Sequence, residues 1–210
     1  MEQRYIYLVF SSTHNFIGKA IRKVTGETYN HISIALDEPL RQMYGFARRY
    51  YRTPLYGGFI RESHSRFCVN GKNAQIRICR LPVTQAQYDA LERKLSEMHE
   101  NRHRYIYNHI SALGALIHRP IKAKDAYTCV EFGVEILHSI GIGVQPDRYY
   151  SVEDVLKILL PYCIYTGPMP QNGDYDTEFF AKHPVPFPLI TTAREILKLV
   201  ARLGKQKTAP

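Results

Sequence analysis

Apolar and polar residues alternate through the first part of the chain, and a helical period takes over only after Pro82. Tyr5-Ile6-Tyr7-Leu8-Val9-Phe10 predicts a first strand, and the polar run Ser11 to Asn15 predicts a turn that caps a helix over 16–24, stopped by Gly26. His31-Ile32-Ser33-Ile34-Ala35-Leu36 alternates with β-branched residues, so it predicts a strand with one core-facing side. Asp37-Glu38-Pro39 turns the chain into a strand around Met43 to Ala47. Strand-like stretches follow at 59–62, 66–69 and 75–81, with Asn70-Gly71 as a hairpin turn. Together they predict a mostly antiparallel sheet.

Beyond Pro82, Thr84-Gln85-Ala86-Gln87 has the form of a capping box, and Tyr88, Leu91, Leu95 and Met98 mark the apolar face of the helix it opens. Further helices are expected over Tyr107 to Leu116, over Cys129 to His138 with Gly141 and Gly143 as stops, and from Ser151 to Leu160. The class is α+β, a mostly antiparallel sheet packed against helices. Residues 1–165 form one domain, and 166–210 form a Pro-rich arm ending in a basic amphipathic helix. In that helix Ile196, Leu199, Val200 and Leu203 share a face, with Arg194, Lys198, Arg202 and Lys205 elsewhere. Such a helix packs on its own domain or an oligomer partner, or makes peripheral contact with an anionic membrane, and packing is the favoured reading. Nothing in the pattern sets the oligomeric state.

Composition narrows the class. With 210 residues, 45% of them hydrophobic, the chain can bury a core that needs neither disulfide nor metal. No apolar run is long enough for a membrane span, and the first ten residues lack a secretory layout, so a cytoplasmic location is expected. Cys68, Cys79, Cys129 and Cys163 form no CxxC pair; reduced thiols are expected, with Cys68, Cys79 and Cys163 as small buried hydrophobes. A net charge of +9 suits an anionic partner, but the basic residues are dispersed from Arg4 to Lys207 and no nucleic-acid module is present. Nucleic acid is therefore not an expected partner. His99, His103, His109 and His118 lack a metal-ligand spacing and read as surface residues, and no cofactor is implied.

One cysteine stands apart. Tyr127-Thr128-Cys129-Val130-Glu131-Phe132 puts Cys129 in the first turn of its helix, where unpaired N–H groups and the dipole favour thiolate over thiol. A nucleophile needs a base, and His31 at the mouth of its strand is the candidate. A triad also needs a group that orients the imidazole. Glu62 is the carboxylate nearby, as an orienter or as an ordinary strand-end charge; Gln42, water or a main-chain carbonyl are the alternatives. Glu131 follows Cys129 by two helix positions and points away from it. For an oxyanion, the Cys129 N–H is one donor, and the hydroxyl of Tyr5 or Tyr127 is a candidate second.

The ordered set Asn30-His31-Ile32-Ser33-Ile34-Ala35-Leu36-Asp37, Met43-Tyr44-Gly45-Phe46-Ala47-Arg48, Gly57-Gly58-Phe59-Ile60-Arg61-Glu62 and Thr128-Cys129-Val130-Glu131-Phe132 resembles the permuted papain-like amidases of the YiiX type, relatives of the NlpC-type peptidases. The resemblance runs from about Tyr5 to about Leu160. It implies a circularly permuted papain-like fold in which His31 precedes the nucleophile Cys129, and a cysteine hydrolase or amidase activity. It also implies a substrate that is a small cell-wall peptide, a γ-glutamyl-type amide or an acyl-lipid amide. Two other functions fit the same residues. One is a binding or scaffold protein impaired in catalysis, for which Val130 and the unassigned orienter speak; the other is a thiol-dependent acyltransferase.

Overall fold

The alternating stretches assemble into one eight-stranded sheet. The computed structural model describes residues 3–13, 26, 28–114, 119–184 and 186–207, so the helix expected over 16–24 lies outside the described residues. The first strands are β1 (Arg4–Ser12), β2 (His31–Ala35), β3 (Met43–Arg48) and β4 (Gly57–Glu62). A small hairpin follows, β5 (Cys68–Val69) and β6 (Lys72–Asn73), and then β7 (Gln75–Val83). Asn70 and Gly71 both take positive φ at the hairpin turn, as an Asn-Gly pair does in tight hairpins. Next come α1 (Gln85–Glu100), β8 (Ile106–Tyr107), α2 (His109–Gly114), β9 (Ala126–Tyr127) and α3 (Cys129–Ser139). The chain closes with α4 (Val152–Leu159), β10 (Cys163–Pro168), α5 (Thr177–Phe180) and α6 (Phe187–Lys207).

The sheet order is β10-β7-β1-β2-β3-β4-β8-β9, antiparallel throughout except for the short parallel pair β8–β9. Its alternation separates two cores. Ile6, Leu8 and Phe10 of β1 and Ile32 and Ile34 of β2 face α1, α3 and α4, whereas Tyr7, Val9 and Ala35 face Phe67, Ala74 and Met169 on the other side. Helix starts are set by local caps: the boxes Thr84/Gln87, Thr128/Glu131 and Ser151/Asp154 each close with both hydrogen bonds. Each cap contributes about 1 kcal/mol. All four residues expected on the apolar face of α1 are buried.

Tertiary contacts redraw some expected boundaries. In place of a strand over 66–69, His64–Phe67 is a single 3-10 turn, because the His64 ring is held between the carbonyls of Leu40 and Pro170 and Phe67 is buried. The helix expected from Tyr107 starts two residues later, since the buried Asn108 side chain accepts the N–H of Ser111 and caps α2. β7 continues through Pro82, which is tolerated because β10 covers β7 only as far as Cys79. Cys79 and Cys163 face each other across that pair and are joined by a disulfide, which corrects the expectation of four reduced thiols; Cys68 and Cys129 are free.

β10 runs across position 165, and the arm after it stays on the domain. Met169 and Phe179 are buried, and Asp176 both caps α5 and pairs with Arg66 at 2.6 Å. α6 packs Leu199 against Ile106, Ala123 and Ala126, while Arg202 donates to the carbonyls of Arg104, Lys124 and Asp125. Leu189, Ile190, Leu197 and Val200 on the same helix stay exposed. Among the described residues no helix is long and apolar enough to cross a membrane.

Gly133 sets how closely α3 lies on the sheet. A Cβ there would sit 3.3 Å from Ile32 Cγ2, so a larger side chain must push the helix off β2. Gly133→Val is expected to destabilise the fold by about 1–3 kcal/mol through overpacking, read as a lower urea midpoint with an unchanged slope. An unchanged midpoint would show that this contact does not set the spacing.

Candidate active site

The site lies where the β2–β3 ladder opens. These strands pair only at Ile34 and Ala35, so His31 and Ile32 have β1 on one side and no β3 partner on the other. The start of α3 points into this gap. Cys129 is its first residue, fixed by the Thr128/Glu131 capping box, and Glu131 also accepts the Ser111 hydroxyl. Glu131 therefore ties the first turn of α3 to α2 and points away from the Cys129 thiol, as its helix position predicts.

Glu62 reaches His31 across an intervening strand. Its β4 position pairs with Met43 of β3, and its carboxylate passes over Gly45 to β2, where a Cβ on Gly45 would lie 2.6 Å from Oε2. His31 Nε2 stands 3.0 Å from Oε1 and 3.2 Å from Oε2, and the Ser33 hydroxyl donates to Oε2 at 2.6 Å. Cys129, His31 and Glu62 are 4%, 8% and 4% exposed, so these bonds face little competition from water. With Nε2 on Glu62, Nδ1 is the ring nitrogen left to face Cys129, and the thiol and the imidazole influence each other's ionisation.

The charges reinforce one another. Burial alone would lower the His31 value, but Glu62 and Cys129 outweigh it and raise it from 6.5 to about 10. Burial opposes ionisation of Glu62 as well, yet His31 and Ser33 hold its carboxyl below the usual range. Burial pushes the Cys129 thiol up, whereas the bond and charge of His31 and the Ile32 main-chain N–H bring it below its ordinary value. The cluster thus favours a thiolate beside an imidazolium.

Tyr107 completes the cluster and was not singled out from the sequence. Its buried hydroxyl lies beside Cys129, and burial, followed by the neighbouring Cys129 and Glu131, drives its pKa well up. It therefore stays protonated and able to donate. Of the two tyrosines expected as oxyanion donors, Tyr5 belongs to the opposite core beside Arg80, and Tyr127 packs on Phe46 and Phe132. Strand alternation sends Tyr5 to the other face of the sheet, and the Tyr127 ring is taken up by its packing on Phe46 and Phe132. The short Ile106-Tyr107 strand is what brings Tyr107 in, and too little pattern surrounds it for the sequence to reveal this.

A cavity of about 350 Å³ opens onto Cys129, His31, Glu62 and Tyr107. Phe46, Ala47, Pro54, Leu55, Ala112 and Leu113 give it apolar walls, while Thr13, Asn30, Arg48, Arg66 and His109 supply polar groups. His109, expected at the surface, lines this cavity and bonds to the carbonyl of Leu55 at 2.8 Å. Comparison with family models, curated proteins and solved structures finds no match for this chain.

Two outcomes check the geometry. Gly45→Ala is expected to displace the Glu62 carboxylate and slow iodoacetamide alkylation of Cys129 by about tenfold, as Glu62→Gln does; a wild-type rate contradicts the path over Gly45. The second concerns pH. Because the His31 value is raised, its contribution to stability is complete below 6.5 and fades as pH climbs through about 10. Because the Glu62 value is lowered, its contribution is complete above 4.5 and is lost as pH falls through the lowered value. Chemical denaturation between about pH 5 and 10 should show the advantage of wild type over Glu62→Gln shrinking as pH rises. A constant difference contradicts an imidazolium held by Glu62.

Proposed function

We propose that the protein is a cysteine hydrolase of the circularly permuted papain-like kind, cleaving an amide through an acyl-enzyme on Cys129. The observation that carries this reading is the buried chain of contacts from Cys129 to His31 to Glu62 at the end of an open cavity. Cys129 Sγ attacks the carbonyl carbon, and negative charge gathers on the carbonyl oxygen beside the Cys129 N–H and the Tyr107 hydroxyl. His31 carries the thiol proton and delivers it to the departing nitrogen; Glu62 keeps the ring aligned and its charge compensated. Water then attacks the thioester, His31 takes its proton, and the carboxylic acid leaves with Cys129 restored.

Two observations weigh against an impaired scaffold. Glu62 occupies the orienting position, and Val130 packs on the core beneath the helix, so it takes no place in the cavity. The apolar walls favour an acyl chain over a polar cell-wall peptide among the substrates considered. An acyltransferase uses the same first half-reaction, with an amine or alcohol replacing water in the second.

Incubation with fatty-acyl amides and activated acyl thioesters, followed by intact-protein mass spectrometry, is expected to trap an acyl adduct on Cys129. Cys129→Ala abolishes it, His31→Ala slows its formation by about a thousandfold or more, and Tyr107→Phe slows it by about ten- to a hundredfold. Iodoacetamide labels Cys129 faster than Cys68. Equal labelling of the two free thiols, with no adduct from any acyl donor, would sink the enzyme reading.

A further inference from the structure

Arg48 and Arg66 both line the Cys129 cavity, and the surroundings of their guanidinium groups differ. Arg66 is neutralised: its Nε bonds Asp176 at 2.6 Å, its Nη1 donates to the carbonyl of Arg48, and its plane covers the Phe179 ring. Among the described residues Arg48 has no such counter-charge. Among the described residues its hydrogen-bond acceptor is the carbonyl of Tyr51, at 2.8 Å from Nη1, and its guanidinium lies 4.9 Å from the Tyr51 ring centre and 5.4 Å from that of Phe179. No ion pair forms at Arg48 among these residues, and the charged group closest to it in effect is the like-charged Arg66.

A half-buried cation without a carboxylate costs desolvation that one carbonyl and two ring faces offset only in part. The remaining N–H groups of its planar fork suit two oxygens of one anionic group. Stacking on Tyr51 and Phe179 holds the fork in place, so little side-chain freedom is lost when an anion binds.

We propose that Arg48 is the anion-recognition residue of the cavity, and that the acyl substrate carries an oxyanion, a carboxylate or phosphate, together with an apolar chain. The chain lies along Leu55, Ala112 and Leu113, and the oxyanion bridges the Arg48 fork. This assignment rests on the cavity being the substrate site of the thiol chemistry above.

Isothermal titration calorimetry with octyl phosphate and octanoate tests it without turnover, so an inert Cys129 leaves the measurement intact. Both amphiphiles are expected to bind the wild-type protein saturably, and the tighter of the two identifies phosphate or carboxylate as the favoured group. Octanol and inorganic phosphate each bind more weakly, because each lacks one half of the recognition. Arg48→Gln weakens the tighter amphiphile by at least about tenfold, and Arg48→Lys, which keeps the charge but loses the fork, by severalfold. An unchanged Kd in folded Arg48→Gln overturns the proposal. So does octanol binding as tightly as octyl phosphate in the wild type, a comparison that holds even if the variants do not fold.

Discussion

The candidate site depends above all on how closely α3 lies on β2. Gly133 lets the helix approach until Ile32 is its immediate neighbour, and one turn earlier that approach delivers Cys129 to His31 and to the Ile32 N–H. Phe132 and Ile136 bury themselves in the same contact, so the hydrophobic core and the thiol geometry are set together. A helix held further out would keep its core contacts in part and lose a proton path that works only at hydrogen-bond distance.

Placing a carboxylate and an imidazole in that setting is costly unless each satisfies the other. Glu62 does so with three hydrogen-bonding contacts, two to His31 and one from Ser33, across a strand whose side chain is missing at Gly45. The same compensation that makes the burial tolerable raises His31 and lowers Cys129, so the stability of the cluster and its reactivity have one electrostatic origin. Tyr107 adds a donor that remains protonated, set beside Cys129 by the short β8 strand.

The arm adds Phe179 to the wall of the cavity. Asp176 and Phe179 reach back to Arg66 and Arg48, so the segment after β10 shapes a wall that the sheet and its helices leave open. It compensates Arg66, whereas Arg48 has no carboxylate partner among the described residues. The arm is thereby joined to the chemistry of the cavity, although its composition reads only as a Pro-rich connection.

The sequence by itself determined the elements with strong local signals: the alternation of β1 to β4, the Asn70-Gly71 turn, the Thr84/Gln87 capping box, and Cys129 at a helix start opposite a strand-borne His31. These depend on neighbours within a turn or a pleat, which a linear pattern records. Glu62 was legible as a candidate orienter of His31, but its path over Gly45 across the intervening β3 was not. The tertiary structure alone decided the opening of the β2–β3 ladder, the Tyr107 contact, the pairing of Cys79 with Cys163 and the unequal fates of Arg48 and Arg66. Each of these joins residues far apart in the chain through sheet register or packing, and no local periodicity carries that distance.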